Sequence, residues 1–343
     1  MKQKRLNIAV VGTGYFSRFH YDAWGRLPVN VRGVCSLDIE QAKTVANKFE
    51  GCQAFNDSER MLDEIKPDLV DIVVQPGRQP SIVKAAIRRK INIVCQKPFT
   101  ESQKKATELV RLAGENKVLL AVHENFRFQP WHMEIKKLLQ QRILGVPYQI
   151  TFRMRPGDGK GKKAYLNRQP YFQKMRRFLI HETAIHLIDV FRFYFGEIDS
   201  VMADLRKLNN NISGEDSGIV VFNFKNGVLG LFDGNRLVDH VAVDKRRTIG
   251  EMLIEGSNGI IRLNGDGDIF FRSFGQNEER KMEFSWENIG FAGDSVYRYQ
   301  KHLLDHILQG TRLYNSGKEY LKNMQIEEMV YLSNDKNKKI VVK

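Results

Sequence analysis

From residue 6 to residue 123 the chain alternates short apolar runs with stretches of helical periodicity, and this alternation restricts its fold more than any other feature. LNIAVVG precedes a helical pattern over residues 16–26 and VRGVC one over 39–49. LVDIVV precedes 82–89, INIVC precedes 101–115, and VLLAVH closes the series. Runs that are apolar throughout, with no polar alternation, are buried on both faces, as in a parallel sheet with helices on either side. Residues 1–124 therefore read as a doubly wound α/β domain.

Beyond residue 125 the periodicity changes. Residues 130–143 read as an amphipathic helix, YQITFRMR as an alternating strand, GDGKGKK as a loop, and residues 179–194 as a helix. Alternating runs then flank two hairpin signals, Asn226-Gly227 and Asn258-Gly259. A closing helix over 296–308 ends at Gly310, where a glycine cap is expected. Residues 125–343 read as an α+β domain with a large, mostly antiparallel open sheet.

Composition narrows the setting. Three cysteines, Cys35, Cys52 and Cys95, are odd in number and irregularly spaced, which suits free thiols in a reducing compartment and suggests neither disulfides nor a metal site. The basic start MKQKR leads into an apolar run too short for a secretory signal, and no segment reaches the ~20 apolar residues of a membrane span. A cytoplasmic protein is expected. The formal charge of +14 is uneven: residues 153–177 carry nine basic side chains against the single acid Asp158. That segment reads either as an anion-binding surface or as a mobile solvated loop, because Gly157, Gly159 and Gly161 loosen it. Tyr165, Tyr171 and Phe172 among these charges suit stacking on sugar rings or bases, but no nucleic-acid module accompanies them.

Three motifs carry chemistry. GTGYFS, at the first strand-helix junction, offers Gly12 for a tight bend, Gly14 for close backbone approach to a pyrophosphate, and a helix start behind Thr13, Tyr15 and Phe16. Ser17 stands where a third glycine or alanine is usual. After VRGVC come Ser36 and, two residues late for a ribose-binding acid, Asp38. Ser36 leaves room for a 2′-phosphate while Asp38 can still reach a ribose, so NAD and NADP both fit, with a slight lean to NADP. Gln75 and Pro76, after LVDIVV, are assigned to the same cofactor site. Cys95-Gln96-Lys97-Pro98 ends an apolar strand. Ligands of open α/β sheets bind at the carboxyl ends of the strands, so Lys97 is placed to steady a developing alkoxide. In HETAIHLIDVFRF, Glu182, His186 and Asp189 fall on one face of a helix, and a histidine beside a carboxylate suits a general base. Taken alone, that segment reads more readily as a partly buried histidine in a structural ion pair.

Together these residues resemble the glucose-fructose oxidoreductase and inositol dehydrogenase family, Gfo/Idh/MocA, over nearly the whole chain. The resemblance rests on Gly12 to Ser17 for the glycine turn, Gln96-Lys97-Pro98 for an E-K-P signature, and Glu182 to Asp189 for D-x-G-x-H-x-x-D. ENFRFQP, with Arg127, stands for N-x-R-x-x-P. It implies an N-terminal Rossmann domain and reversible hydride transfer between nicotinamide and a sugar or polyol carbon. His186 would be the base, Lys97 would polarise the reacting oxygen, and Glu182 would orient His186. Arg127 and Asp189 would be substrate contacts, with Asp189 alternatively a helix-orienting group. A homodimer or homotetramer is also implied. The departures are Gln96 for glutamate, Glu182 for aspartate, Ala184 for glycine, and Pro80 where histidine is common. The basic segment 153–177 would favour an anionic sugar derivative. The alternative from another class is a non-catalytic dinucleotide-binding sensor.

Overall fold

The structure, a computed structural model, describes residues 5–342. In the first unit the order is β1 (Asn7–Val11), α1 (Ser17–Arg26), β2 (Asn30–Cys35), α2 (Ile39–Ala46), β3 (Gln53–Phe55), α3 (Ser58–Ile65), β4 (Leu69–Ile72), α4 (Gln79–Arg88), β5 (Asn92–Gln96), α5 (Gln103–Glu115) and β6 (Leu120–His123). The six strands lie in the order β3-β2-β1-β4-β5-β6, all parallel. The doubly wound reading therefore holds, with one addition. The alternation in the sequence shows five strands, whereas β3 and α3 insert a sixth strand and a further helix. Their sequence, QAF followed by SERMLDEI, gives a strand of three residues and a helix of eight, too short to stand out between the longer runs on either side. The helix forms because Asp57 caps it, accepting from the amides of Glu59 and Arg60, and because Met61 and Leu62 are buried.

The rest of the chain comprises α6 (Pro130–Gln140), β7 (Pro147–Met154), α7 (Ile185–Phe195), β8 (Ile198–Arg206), β9 (Ser217–Phe224), β10 (Leu229–Asn235), β11 (Gly250–Gly256), β12 (Gly259–Leu263), β13 (Ile269–Ser273), β14 (Arg280–Lys281), α8 (Ser295–Gln309), α9 (Gly317–Lys336) and β15 (Ile340–Val341). Nine strands form the second sheet, in the order β14-β13-β12-β11-β7-β10-β9-β8-β15, antiparallel except for the β7/β10 pair. Both Asn-Gly hairpins form as read, β9 to β10 and β11 to β12. Gly310, with φ +68°, ends α8 and donates to the His306 carbonyl. One face of this sheet is core: Ile150, Phe152, Phe222, Phe232 and Ile254 pack with Trp131 and Ile135 of α6 and Leu187, Ile188 and Phe191 of α7.

Compactness groups Met1–Asn125 with Val296–Lys322, and Phe126–Ser295 with Asn323–Lys343. The sequence reading assigned all of 125–343 to one domain. In the structure α8 docks on the first unit, where Tyr299 donates to the Val122 carbonyl and Gln300 to that of His20. Among the described residues no helix is long and apolar enough to cross a membrane.

Candidate active site

In the first unit, β1 delivers the chain into the GTGYFS turn. Gly12 has φ +120°, donates to the Cys35 carbonyl at 2.8 Å, and sits so close to the residue after β4 that an added Cβ would lie 2.2 Å from the Val73 oxygen. Gly14 is the opposite case, with no heavy atom within 4 Å of where its Cβ would be. That open space, and an α1 start whose amides receive no side-chain cap, fit the pyrophosphate of a dinucleotide. Ser17 does more than replace a small residue, since its hydroxyl donates to the Gly14 carbonyl at 2.7 Å and tightens the turn. At the end of β2, Ser36 and Thr13 share a 2.7 Å hydroxyl contact, and Thr13 also donates to Gln41 at 2.9 Å. Asp38 caps α2, accepting from the Glu40 and Gln41 amides and from the Gln41 side chain. Gln75 leads into a short 3₁₀ turn over Pro76–Arg78.

Lys97 directly follows β5, as the sequence reading placed it. The turn around it is held by two glutamines. Gln96 turns back to accept from the Lys97 amide at 2.7 Å. Gln79, fully buried, reaches the carbonyls of Val74, Gln96 and Pro98 with its amide nitrogen and accepts from the Thr100 amide. Behind Gln96 lies a buried polar group made of His20 on α1, Asp71 on β4 and His123 on β6. The His20 and His123 rings are 4.1 Å apart, and Tyr299 covers the far face of His123 at 4.2 Å. Burial holds His123 well below the ordinary imidazole range.

In the second unit the His186 segment departs from a simple helix. Leu179–Ala184 forms a π-helical turn that runs into α7. Such wide turns recur at functional sites, and this one means the α-helical spacing used to align Glu182 with His186 applies only from Ile185 onward. His186 is buried and lies flat against Phe126, with ring centroids 3.8 Å apart and planes 1° from parallel. Asp189 faces the interior, accepting from Arg127 at 2.6 and 2.5 Å and from Asn323 at 2.7 Å. Arg127 and Asp189 were read as substrate contacts. The two pair with each other here, and Asp189 also accepts from Asn323.

Glu182 accepts from Thr183 Oγ1 at 2.9 Å, and Thr183 Oγ1 accepts from the buried Arg236 at 2.7 Å. Arg236 also donates to Asp158 and Tyr165, and its guanidinium lies 4.4 Å from the centre of the Phe178 ring. The charge of Glu182 raises the Tyr171 phenol pKa, as a smaller cause than burial.

The basic segment is partly engaged within the fold. Arg153 and Arg155 face Asp233, Arg168 faces Asp158, and Arg177 faces Glu328. Tyr165 and Phe172 are core, packed with Ala164, Phe178 and Ile212. Asn209 and Gln173 hold the loop backbone at Gly159, Gly161, Lys162 and Ala164. Lys160, Lys162, Lys163, Lys174, Arg176 and Tyr171 remain exposed.

The model of the oxidoreductase family with an NAD-binding Rossmann fold matches residues 6–124, and that of the GFO/IDH/MocA C-terminal domain matches 132–262. The chain belongs to the Gfo/Idh/MocA oxidoreductase family. It is similar to D-apiose dehydrogenase of Paraburkholderia graminis, 27% identical over 96% of this chain and 88% of that protein. The D-apiose dehydrogenase of Rhizobium rhizogenes is likewise 27% identical, over 97% and 96% of the two chains. An oxidoreductase from Agrobacterium radiobacter, solved in complex with NAD+, L-tartaric acid and magnesium, superposes with a TM-score of 0.88 at 25% identity, covering 99% of both chains.

In this Gfo/Idh/MocA protein, Lys97 and His186 are set among residues that the motifs do not reveal. His20, Asp71, Gln79, Phe126, Thr183, Arg236 and Asn323 escaped sequence reasoning because their partners are distant in the chain: Gln79 lies 17 residues from Gln96 and Arg236 lies 53 from Thr183. The one available signal was the polar Asp71 inside the apolar run LVDIVV.

Proposed function

We propose that the protein catalyses reversible hydride transfer between a sugar or polyol carbon and the nicotinamide of NAD. The observation that carries this reading is Lys97, set at the carboxyl end of β5 in a doubly bracketed turn, in the same unit as the open Gly14 turn. Bound NAD supplies the hydride acceptor. Lys97 polarises the reacting hydroxyl and steadies its oxygen as negative charge develops. His186, its ring plane fixed by Phe126, takes the hydroxyl proton, and Glu182 orients it.

NAD rather than NADP is supported by the carboxylate of Asp38, with Glu40 behind it, at the head of α2, where a 2′-phosphate would meet negative charge. The lean to NADP drawn from Ser36 is not carried forward. A neutral sugar is favoured over an anionic one because Arg153, Arg155, Arg168 and Arg177 all face acids. The dehydrogenases of D-apiose among the relatives make that branched pentose the first compound to try. A homodimer or homotetramer is supported by the outer face of the second sheet. There Met202, Val221, Leu231, Thr151 and Leu253 form one cross-strand row, largely apolar, and none of them is buried. The free Cys35, Cys52 and Cys95 suit a reducing compartment such as the cytoplasm.

The test is reduced-nicotinamide absorbance with NAD and NADP across apiose, other aldoses, polyols and sugar acids. Wild type is expected to turn over at least one neutral compound with NAD. Lys97→Ala and His186→Ala are each expected to lose activity by more than about 100-fold while binding NADH normally. Retained activity in either variant would overturn its assigned role.

A further inference from the structure

A carboxylate in the middle of a parallel sheet is costly unless its partners are built in with it. Asp71 is such a group, fully buried on β4. Its Oδ2 accepts from Trp24 Nε1 at 2.8 Å and faces His20 Nδ1 at 2.8 Å, both from α1. A carboxylate oxygen accepts, so the His20 proton belongs on Nδ1 and Nε2 presents a lone pair. Facing that lone pair at 3.3 Å is the amide nitrogen of Gln96. The orientation of that amide is set by its other end, because Gln96 Oε1 accepts from the Lys97 backbone at 2.7 Å. One arrangement of protons satisfies every contact: Lys97 N–H to Gln96 Oε1, Gln96 N–H to His20 Nε2, and His20 Nδ1–H to Asp71.

We propose that Asp71 and His20 are positioning residues for Lys97, acting through Gln96, in a relay that calls for an amide rather than an acid at position 96. A carboxylate there would set an oxygen against the His20 lone pair unless the imidazole took a second proton. The relay thus gives a physical reason for Gln96, where the E-K-P pattern the sequence resembles would have glutamate. An alternative is that the Asp71 pair merely docks α1 on the sheet. The chain of donors and acceptors argues against this, because it runs out of the core and ends on the backbone of the residue proposed to polarise substrate. The inference rests on that proposed role of Lys97, but its first test needs no substrate.

In the full-length protein labelled with ¹⁵N-histidine, the His20 ring is assigned among the eight histidines by its loss in His20→Asn. The expected spectrum has Nδ1 protonated and Nε2 shifted as a hydrogen-bond acceptor. Gln96→Met should move Nε2 to the position of an unbonded ring nitrogen, and Gln96→Glu should leave both nitrogens protonated. A proton on Nε2 in wild type overturns the relay, as does a His20 signal indifferent to both substitutions. If Gln96→Met does not fold, the conservative Gln96→Glu carries the same decision. In turnover, Gln96→Met and His20→Asn should each lower kcat by about ten-fold with the NADH Kd changed less than about two-fold, and the double variant should be no worse than either. Additive losses, or parallel loss of dinucleotide binding, would reduce the group to a structural prop. A wild type with no activity on any sugar would sink the proposed function and leave the imidazole spectrum to judge the relay.

Discussion

Gly12 and Gly14 stand two residues apart and do different work. At Gly12 a side chain is forbidden twice, by φ +120° and by the Val73 oxygen, so Gly12→Ala should unfold or distort the first unit. At Gly14 the protein leaves the space empty. Gly14→Ala should therefore melt within about 1 kcal/mol of wild type while losing dinucleotide affinity, because the methyl fills the approach to the turn. Thermal melts beside an NADH titration separate the two, and a Gly14→Ala variant that binds normally would remove the pyrophosphate from this turn. These glycines, Lys97 and His186 were legible in the sequence because the chemistry they serve is written within a few residues. His20 and Asp71 were not, since an aspartate in an apolar run has no meaning until the strand and helix that face it are brought together.

Among the elements, the segment over residues 156–177 changed most between sequence and structure. Its glycines suggested mobility, yet Arg236 on the stretch after β10 anchors it through Asp158 and Tyr165. Arg236→Met leaves Asp158 without its main partner and should cost about 3 kcal/mol, read from denaturant midpoints, with Asp158→Asn in the same chain recovering part of the loss. Burial alone would raise the Asp158 carboxyl. The charge and hydrogen bonds of Arg236, with help from Tyr165 and Arg168, override it and hold the carboxyl below its ordinary value of 3.8. A depressed carboxyl stabilises the fold above its ordinary value, and that contribution fades as pH falls through the lower folded one. Amide exchange of this segment should accordingly quicken below about pH 4 in wild type and show no such step in Asp158→Asn. The short helix α3 hangs on its cap: Asp57→Ala should cost about 1 kcal/mol, and an unchanged melting temperature would show that packing of Met61 and Leu62 suffices.

For the whole molecule, the outer face of the nine-stranded sheet sets the expectation. The apolar row from Met202 to Leu253 runs beside a second row of Asp204, Ile219, Asp233, Arg153 and Glu251, and Ile219 is half exposed. A face so mixed suits a second copy of the chain. Sedimentation should find a dimer or tetramer in wild type and a smaller species in Ile219→Lys or Leu231→Glu, whereas a monomeric wild type would refute the assembly. The sequence by itself determined the doubly wound first sheet, both Asn-Gly hairpins, the turn that fits a dinucleotide, and the positions of Lys97 and His186. Each of these follows from periodicity or from residue types close together in the chain. Only the tertiary structure decided that α8 returns to the first unit and that Arg127 and Asp189 pair with each other. It alone revealed the anchored basic segment and the glutamines and buried histidines that lie behind Lys97. Those outcomes depend on which distant donors and acceptors meet when apolar faces are buried, and no local pattern encodes that pairing.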